Sequence, residues 1–316
     1  MSAPLRIGTR ASALALWQAH HVEALIKSQP GAPPVELVRI RTEGDVRTDV
    51  PLWQIGGRAF FTKEIDKALL GNEIDIAVHS LKDLATVLEP GIELAAALVR
   101  EDPRDALIGA RLMDLPHGAR VGTSSLRRRA FIARARPDVQ LLELRGNVPT
   151  RIERLKNGDY DAIILAAAGL RRLGLEQNIS ELLSLDEFPP AVSQGAIGVC
   201  MRTGDAEAGR WLQKLDDRAS RLATTAERAL LRRLEGGCQV PLGAIATLAS
   251  DDTLRLHAAV CSLDGSKMLQ AKAQMPATPA NAVGLGQRLA EDLLSQGAAE
   301  LMANERTARS LAAEGP

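Results

Sequence analysis

The sequence predicts two α/β lobes, each a doubly wound sheet, and a smaller C-terminal α+β domain with a three-stranded antiparallel sheet. Three observations predict this fold class. Short apolar strands alternate with helical stretches over residues 1–97. A similar order of strands and turns returns over residues 101–189, again with a Gly-Thr turn. From residue 218 onward, one helix precedes three strand-like runs that hairpin turns separate.

The first lobe follows a strand–helix–strand–helix–strand order. Its five segments are Leu5–Thr9, Ser12–Ile26, Val35–Arg41, Thr62–Leu70 and Ile74–Val78. Ser12 has a side chain suited to an N-cap, and Gly71 with Asn72 ends the second helix. This order predicts a parallel sheet with helices on its faces.

The second lobe repeats three stretches of the first. RVGTSS at 120–125 echoes RIGTRAS at 6–12, VQLLELR at 139–145 echoes VELVRIR at 35–41, and NGDYDAII at 157–164 echoes GNEIDIAV at 71–78. In both lobes the Gly-Thr turn leads from a strand end into a helix N-terminus, where backbone N–H groups attract anions. Because ligands collect at the carboxyl ends of such strands, we expect an anion-binding cleft between the lobes.

The C-terminal domain begins with a helix over Ala219–Leu234. Three strands and a closing helix follow: Leu242–Ala249, Thr253–Ser262, Lys267–Gln274 and Ala280–Ser295. The predicted domains are therefore residues 1–97 with 195–213, residues 101–189, and residues 218–316.

Composition excludes several classes of protein. No apolar run approaches the roughly 20 residues of a membrane span, and the first residues lack a signal peptide, so we expect a cytoplasmic protein. The 39 basic and 39 acidic residues balance, which gives no nucleic-acid footprint. Cys200, Cys238 and Cys261 lack the short spacings of a zinc site or disulfide framework, and the five histidines form no metal pattern.

Arginines gather at the strand ends that face the predicted cleft. They are Arg10, Arg127, Arg128, Arg145, Arg151 and Arg172. A cation in the first turn of a helix is electrostatically unfavourable, so Arg127 and Arg128 predict a bound anion that compensates them. The alternative is that these arginines pair with surface carboxylates.

Two further features could take part in a reaction: the pair Lys82 and Asp83, and Cys238. Lys82 and Asp83 follow the apolar strand at Asp75–Val78, where a carboxylate could stabilise a cation or move a proton. The alternative is that Asp83 caps a helical turn and that Lys82 is solvated.

Cys238 lies on a glycine-rich loop, LEGGCQVPLG. It could act as a nucleophile or an anchor, or it could have no role. No histidine near a motif is a candidate for the base that a nucleophilic cysteine needs.

Eight stretches in order resemble the porphobilinogen deaminase, or hydroxymethylbilane synthase, family. They are RIGTRASALALWQ, IAVHSLKDL, REDPRDA, VGTSSLRRRA, LRGNVPTR, YDAIILAAAGLRRLG, SQGAIG and TAERALLRRLEGGCQVPLGA. The resemblance covers essentially the whole chain. It implies two lobes like type II periplasmic binding proteins and a third domain that carries the loop cysteine.

The resemblance also implies the chemistry. Cys238 would carry a dipyrromethane by a thioether, four porphobilinogen molecules would add to this primer with loss of ammonia, and water would release hydroxymethylbilane. Asp83 would be catalytic, stabilising positive charge on pyrrole nitrogens. The implied binders of the cofactor are Lys82, Ser125, Arg127, Arg128 and Arg145, and those of the substrate are Arg10, Ser12, Arg58, Arg151 and Arg172. The family expectation is a monomer.

Some positions depart from the family pattern. Gln54 stands where a lysine is frequent, Arg58 where lysine is frequent, and Ala59, Pro149 and Ser193 where glycine is usual. Two alternatives remain at this point: a non-catalytic bilobed binder of small organic anions, which leaves Cys238 unexplained, and a thiol-dependent enzyme, which lacks a base.

Overall fold

The computed structural model describes residues 3–42, 62–234 and 241–303. The chain forms two compact units. The first consists of Met1–Pro103, Ala168–Gln177 and Gln194–Arg221, and the second of Arg104–Ala167, Asn178–Ser193 and Leu222–Pro316. The second lobe and the C-terminal sheet therefore fall in one unit, and the division into three domains stays a prediction.

The first unit is built on a five-stranded mixed sheet in the order β2-β1-β3-β10-β4. These strands are β1 (Leu5–Thr9), β2 (Val35–Arg39), β3 (Ile76–Ser80), β4 (Ile92–Ala97) and β10 (Ile197–Arg202). β1 pairs in parallel with β2 and β3, as predicted. The expectation of a purely parallel sheet is wrong, because β10 returns from far along the chain and runs antiparallel to β3 and β4.

Helices cover both faces of this sheet. They are α1 (Ala13–Lys27), α2 (Lys63–Leu70) and, later in the chain, α6 (Ala206–Leu212). Ser12 caps α1 as predicted, because its Oγ accepts a hydrogen bond from the backbone nitrogen of Ala15. Ile7 and Ile76 belong to the core on one face, and Ile65 and Leu69 to the core on the other.

The second unit repeats this sheet, in the order β7-β6-β8-β5-β9. Its strands are β5 (Asp105–Ile108), β6 (Arg120–Gly122), β7 (Gln140–Leu142), β8 (Ala162–Ala166) and β9 (Ile179–Leu182). Its helices are α3 (Leu126–Ala135), α4 (Val148–Lys156) and α5 (Ala167–Arg172). All residues of α5 after Ala167 belong to the first unit. β6 pairs in parallel with β7 and β8, while β5 is antiparallel to β8 and β9. The shared order confirms two lobes of one design.

The C-terminal part adds the predicted three-stranded antiparallel sheet. Its elements are α7 (Arg218–Arg233), β11 (Leu242–Leu248), β12 (Thr253–Cys261), β13 (Met268–Pro276) and α8 (Pro279–Ser295). Leu256, Leu285 and Leu289 lie in its core. The other face of β12 contributes Ala259 and Cys261 to the core around Phe131, so this sheet packs on the second lobe.

Three checks complete the fold. In residues 3–42, 62–234 and 241–303, no helix is long and apolar enough to cross a membrane. No cluster of potential metal ligands occurs in the same ranges. Cys200 and Cys261 are buried free thiols.

Candidate functional site

A pocket in the first unit brings together three residues that the sequence singled out: Arg10, Ser12 and Asp83. Its full lining is Arg10, Ser12, Leu14, Ala15, Gln18, Thr62, Val78, His79, Ser80 and Asp83, around an empty volume of about 420 Å³ that includes its open mouth. The convergence follows from topology. β1 and β3 are parallel neighbours, so the residues after them meet at one edge of the sheet.

Asp83 ends a single 3₁₀ turn, Leu81–Asp83, that follows β3 directly. Ser80 precedes this turn, so Asp83 is not its N-cap, and Asp83 is half-buried at the pocket. Lys82 is half-buried too, and its Nζ donates to Oε1 of Gln194 at 3.4 Å. Lys82 is therefore only partly exposed to solvent.

A hydrogen-bonded pair fixes the wall between α1 and β3. Nε2 of Gln18 lies 2.8 Å from Oγ of Ser80, and Gln18 is almost fully buried. A buried amide with a fixed partner holds its neighbours in register, so the strand end that precedes Asp83 is anchored to α1.

His79 is an uncharged member of the lining. Burial, assisted by the nearby Arg10, lowers the pKa of His79 to about 4. Its buried Nε2 has no hydrogen-bond partner among the described residues. The lining therefore combines the guanidinium of Arg10 and the carboxyl group of Asp83 with the imidazole of His79, which is neutral near neutral pH.

Arg172 lies elsewhere in the first unit. Its guanidinium stands 5.8 Å from the centroid of the Trp17 ring, and one terminal nitrogen donates to the carbonyl oxygen of Gly195 at 2.6 Å. Burial lowers the pKa of Arg172 to about 10, against the opposing effect of Glu101. The side chain thus stays protonated at neutral pH, and its guanidinium contacts the Gly195 carbonyl oxygen and the face of the Trp17 ring.

The second unit holds the other predicted cations. Ser125 caps α3, because its Oγ accepts from the backbone nitrogen of Arg128. Arg127 and Arg128 are both buried and both pair with Asp105, at 2.7 Å each. A carboxylate of the protein thus compensates part of the charge at this helix end, and an additional bound anion stays a prediction.

Arg151 lies near two other arginines, Arg128 and Arg145. Its Nε donates to the carbonyl oxygen of Gly146 at 2.7 Å. Burial, and then the nearby Arg128 and Arg145, lower the pKa of Arg151 to about 10. Three guanidinium groups that oppose one another's charge make this region attractive to carboxylates.

The donor chemistry of the second unit fits a polycarboxylate cofactor. Arg127 and Arg128 share the one carboxylate of Asp105, so the pairing leaves a net positive charge. The buried Nε of Arg127 has no hydrogen-bond partner within the part of the chain that the structure describes. Together with Arg145, these groups provide cationic donors suited to acetate and propionate side chains.

Several predicted positions lie outside the described residues. They are Gln54, Arg58, Ala59 and Cys238. Of the other departures from the family pattern, Pro149 stands in the first turn of α4, where no backbone N–H is needed. Ser193 has a left-handed backbone, with φ of 63°, which explains why glycine is usual there.

Sequence reasoning missed three residues that shape the site: His79, Asp105 and Gln194. All three stand inside stretches that the family resemblance used, IAVHSLKDL, REDPRDA and SQGAIG. None of them is a cation that follows the carboxyl end of a strand, which was the signal that selected the arginines. Only burial reveals them, at 5%, 1% and 1% exposure respectively.

Family models match nearly the whole chain. Residues 5–210 match the dipyromethane cofactor binding domain of porphobilinogen deaminase, and residues 221–295 match the C-terminal domain of the same family. The two matches meet near the start of α7.

Curated relatives agree with these models. The chain is 51% identical over 303 residues to a porphobilinogen deaminase of Roseiflexus castenholzii, covering 95% of this chain and 98% of that one. It is 48% identical over 305 residues to one of Syntrophotalea carbinolica, covering 96% of each chain. Both relatives are therefore matched from end to end.

Solved structures show a weaker likeness. An ancestral arginine-binding protein is 17% identical with a TM-score of 0.39, covering 68% of this chain and 91% of that one. A VFT2 domain of Bordetella pertussis BvgS is 14% identical with a TM-score of 0.39, covering 67% and 86%. The order of strands in the two sheets, and not this likeness, carries the fold class.

Proposed function

Because this chain belongs to the porphobilinogen deaminase family, we propose that Asp83 is its catalytic carboxylate and that Cys238 anchors its dipyrromethane. The family makes the chain a transferase of porphyrin biosynthesis with porphobilinogen as substrate. The alternative of a non-catalytic binder of organic anions does not stand, because the matched model is an enzyme's cofactor domain. The observation that carries the assignment of Asp83 is its place in one pocket with Arg10 and Ser12.

Asp83 acts through its charge. Loss of ammonia from porphobilinogen, and each later addition, puts positive charge on a pyrrole nitrogen. A carboxylate that accepts from that N–H stabilises the charge more strongly in a pocket than in water. The pocket offers Asp83 as the anion for this task and Arg10, with the Ser12 hydroxyl, for a substrate carboxylate.

Arg172 and Arg151 extend substrate binding. Arg172 is buried and Arg151 is half-buried, and each has one guanidinium nitrogen on a backbone carbonyl, so the rest of the guanidinium remains for a carboxylate. Burial makes such a charge-assisted bond stronger than one at the surface. We assign Arg58 to the same task on the family resemblance alone.

We propose that Lys82, Ser125, Arg127, Arg128 and Arg145 bind the side chains of the dipyrromethane. When bound, this group supplies the free pyrrole α-carbon to which porphobilinogen units add. The protein's contribution would be to hold the carboxylates of this group. Asp105 fixes Arg127 and Arg128 beforehand, so little side-chain freedom is lost on binding.

The finer properties are also proposals. We infer a monomeric cytoplasmic enzyme that does not bind nucleic acid. The family resemblance supports the first two, and the balance of 39 basic and 39 acidic residues supports the third. Light scattering of the purified protein tests the monomer directly, and a dimer mass overturns it.

An intact mass of the purified protein tests the anchor. The parent should exceed its sequence mass by two pyrrole units, and Cys238→Ser should lack this excess and turnover. Cys261→Ser is the matched control, because Cys261 is a buried thiol that points at the carbonyl oxygen of Ala130, and this variant should keep the excess. A fully active parent of unmodified mass would overturn the proposal.

A further inference from the structure

The backbone turns sharply on both sides of Gln194. Ser193 and Gly195 both have left-handed conformations, with φ of 63° and 91°. A side chain at position 195 would collide with the carbonyl oxygen of Glu101, so glycine is required there. A non-glycine residue in this region is uncommon and indicates that the surrounding structure enforces it. The two turns direct the Gln194 side chain into the protein, where it is 1% exposed.

The amide of Gln194 has only one sensible orientation. Its Nε2 donates to the carbonyl oxygen of Pro103 at 2.8 Å, which an amide oxygen could not do. Its Oε1 must therefore be the atom that faces Nζ of Lys82. The backbone oxygen of Gln194 accepts from Nε of Arg100 at 2.8 Å, so the segment that supplies Pro103 is tied to Gln194 twice.

The contact with Gln194 restricts where the ammonium of Lys82 lies. This ammonium sits at the end of a long flexible stem, which loses much rotamer freedom when one position is selected. At 3.4 Å the bond from Nζ to Oε1 is long, so it guides the ammonium without holding it firmly. The amide carries no formal charge, so this contact, unlike one with a carboxylate, does not itself cancel the charge of the ammonium.

We propose that Gln194 is a positioning residue for Lys82. Its Oε1 guides the ammonium of Lys82 toward one position, from which the ammonium would meet a carboxylate of the bound pyrrole chain. This inference rests on the proposed role of Lys82 in cofactor binding. Gln194 lies in the SQGAIG stretch, but its effect depends on burial and on its two left-handed neighbours.

Two variants of opposite chemistry test the inference. Gln194→Leu removes the acceptor, so Nζ of Lys82 should react with trace acetic anhydride at least threefold faster, as read by mass spectrometry. Gln194→Glu supplies an anion, so the same lysine should react at least threefold more slowly. In both variants kcat should fall about tenfold, whereas KM for porphobilinogen should stay within twofold of the parental value. The reason is that these variants misplace the dipyrromethane primer and not the substrate.

Gln29→Leu is the matched control. Gln29 also donates from Nε2 to a backbone carbonyl, that of Trp211 at 3.0 Å, in the same unit and with no lysine attached. This variant should leave kcat and the labelling of Lys82 unchanged. If Gln194→Leu fails to fold, Gln194→Asn, which keeps the amide but shortens its reach, should still raise the labelling rate.

Different results would contradict the proposed role of Lys82 in cofactor binding and the proposed role of Gln194 in positioning Lys82. If Lys82→Ala keeps parental kcat and the mass excess of the dipyrromethane, the proposed role of Lys82 is wrong. If Lys82→Ala is impaired but Lys82 reacts at the parental rate in folded Gln194→Leu and Gln194→Glu, then Gln194 does not position it. A loss of stability alone, with unchanged labelling, would assign Gln194 a purely structural role.

Discussion

Arg128 donates from Nε and from a terminal nitrogen to one carboxylate oxygen of Asp105, at 3.0 and 2.7 Å. Burial alone would raise the pKa of Asp105, but Arg127 and Arg128 outweigh it and hold that pKa well below its usual range. One carboxylate therefore fixes two buried cations.

Asp105→Asn should destabilise the second unit strongly. Removing the charge leaves two buried guanidinium groups without their anion, which costs about 3–5 kcal/mol in comparable buried pairs. Urea unfolding of the cofactor-free protein measures this. The loss should shrink in the cofactor-loaded protein, where pyrrole carboxylates replace the missing anion. An equal loss in both forms would contradict carboxylate binding by Arg127 and Arg128.

Asp83→Asn should lose turnover but keep the fold. The amide keeps the shape but not the negative charge that stabilises a pyrrole cation, and removal of one such group costs about 10²–10³ in kcat. Asp114→Asn is the matched control, because Asp114 also ends a single 3₁₀ turn, Leu112–Asp114, and has no place in the pocket. Parental kcat in Asp83→Asn would remove this residue from the mechanism.

His79 should make the protein less stable in mild acid. The unfolded chain binds a proton on this residue near pH 6.5, whereas burial holds the folded pKa at about 4. Stability therefore falls as the pH drops from about 6.5 to 4, by about 3 kcal/mol at most.

The His79 effect must be isolated from one of opposite sign. Burial raises the pKa of Asp66 to about 6, which adds stability as the pH falls through the same range. The measurement is thus the difference in unfolding free energy between the parent and His79→Gln at each pH. That difference should favour the variant progressively below pH 6.5, and a flat difference would contradict a buried neutral His79.

Ser193→Gly should stabilise the protein by about 1 kcal/mol. Glycine relieves the left-handed backbone, at a cost of about 1–2 kcal/mol for other residues, and removes a hydroxyl that is buried without a hydrogen-bond partner in the described ranges. The greater flexibility of glycine in the unfolded chain offsets part of this gain. Ser193→Ala removes only the hydroxyl, so its Tm in calorimetry should lie between those of the parent and Ser193→Gly. A lower Tm for Ser193→Gly than for Ser193→Ala would contradict the explanation.

Much of the fold could be predicted because its signals are local. Apolar alternation located β1 and β3, the Ser12 hydroxyl marked the start of α1, and the two Gly-Thr turns revealed the repeated lobe. The mixed character of the sheets could not be predicted. β10 joins β3 across more than a hundred residues, and no local pattern encodes the direction of such a pairing.

The sequence by itself determined the family, the transferase activity and the candidate roles of Asp83 and the arginines, because those depend on residue types in a fixed order. Only the tertiary structure decided how charges are partnered. It gave Arg127 and Arg128 the carboxylate of Asp105, and it placed Arg10 beside Asp83 in one pocket. Partnering depends on distance and burial, which arise only when remote segments pack, so it is absent from any stretch of sequence read alone.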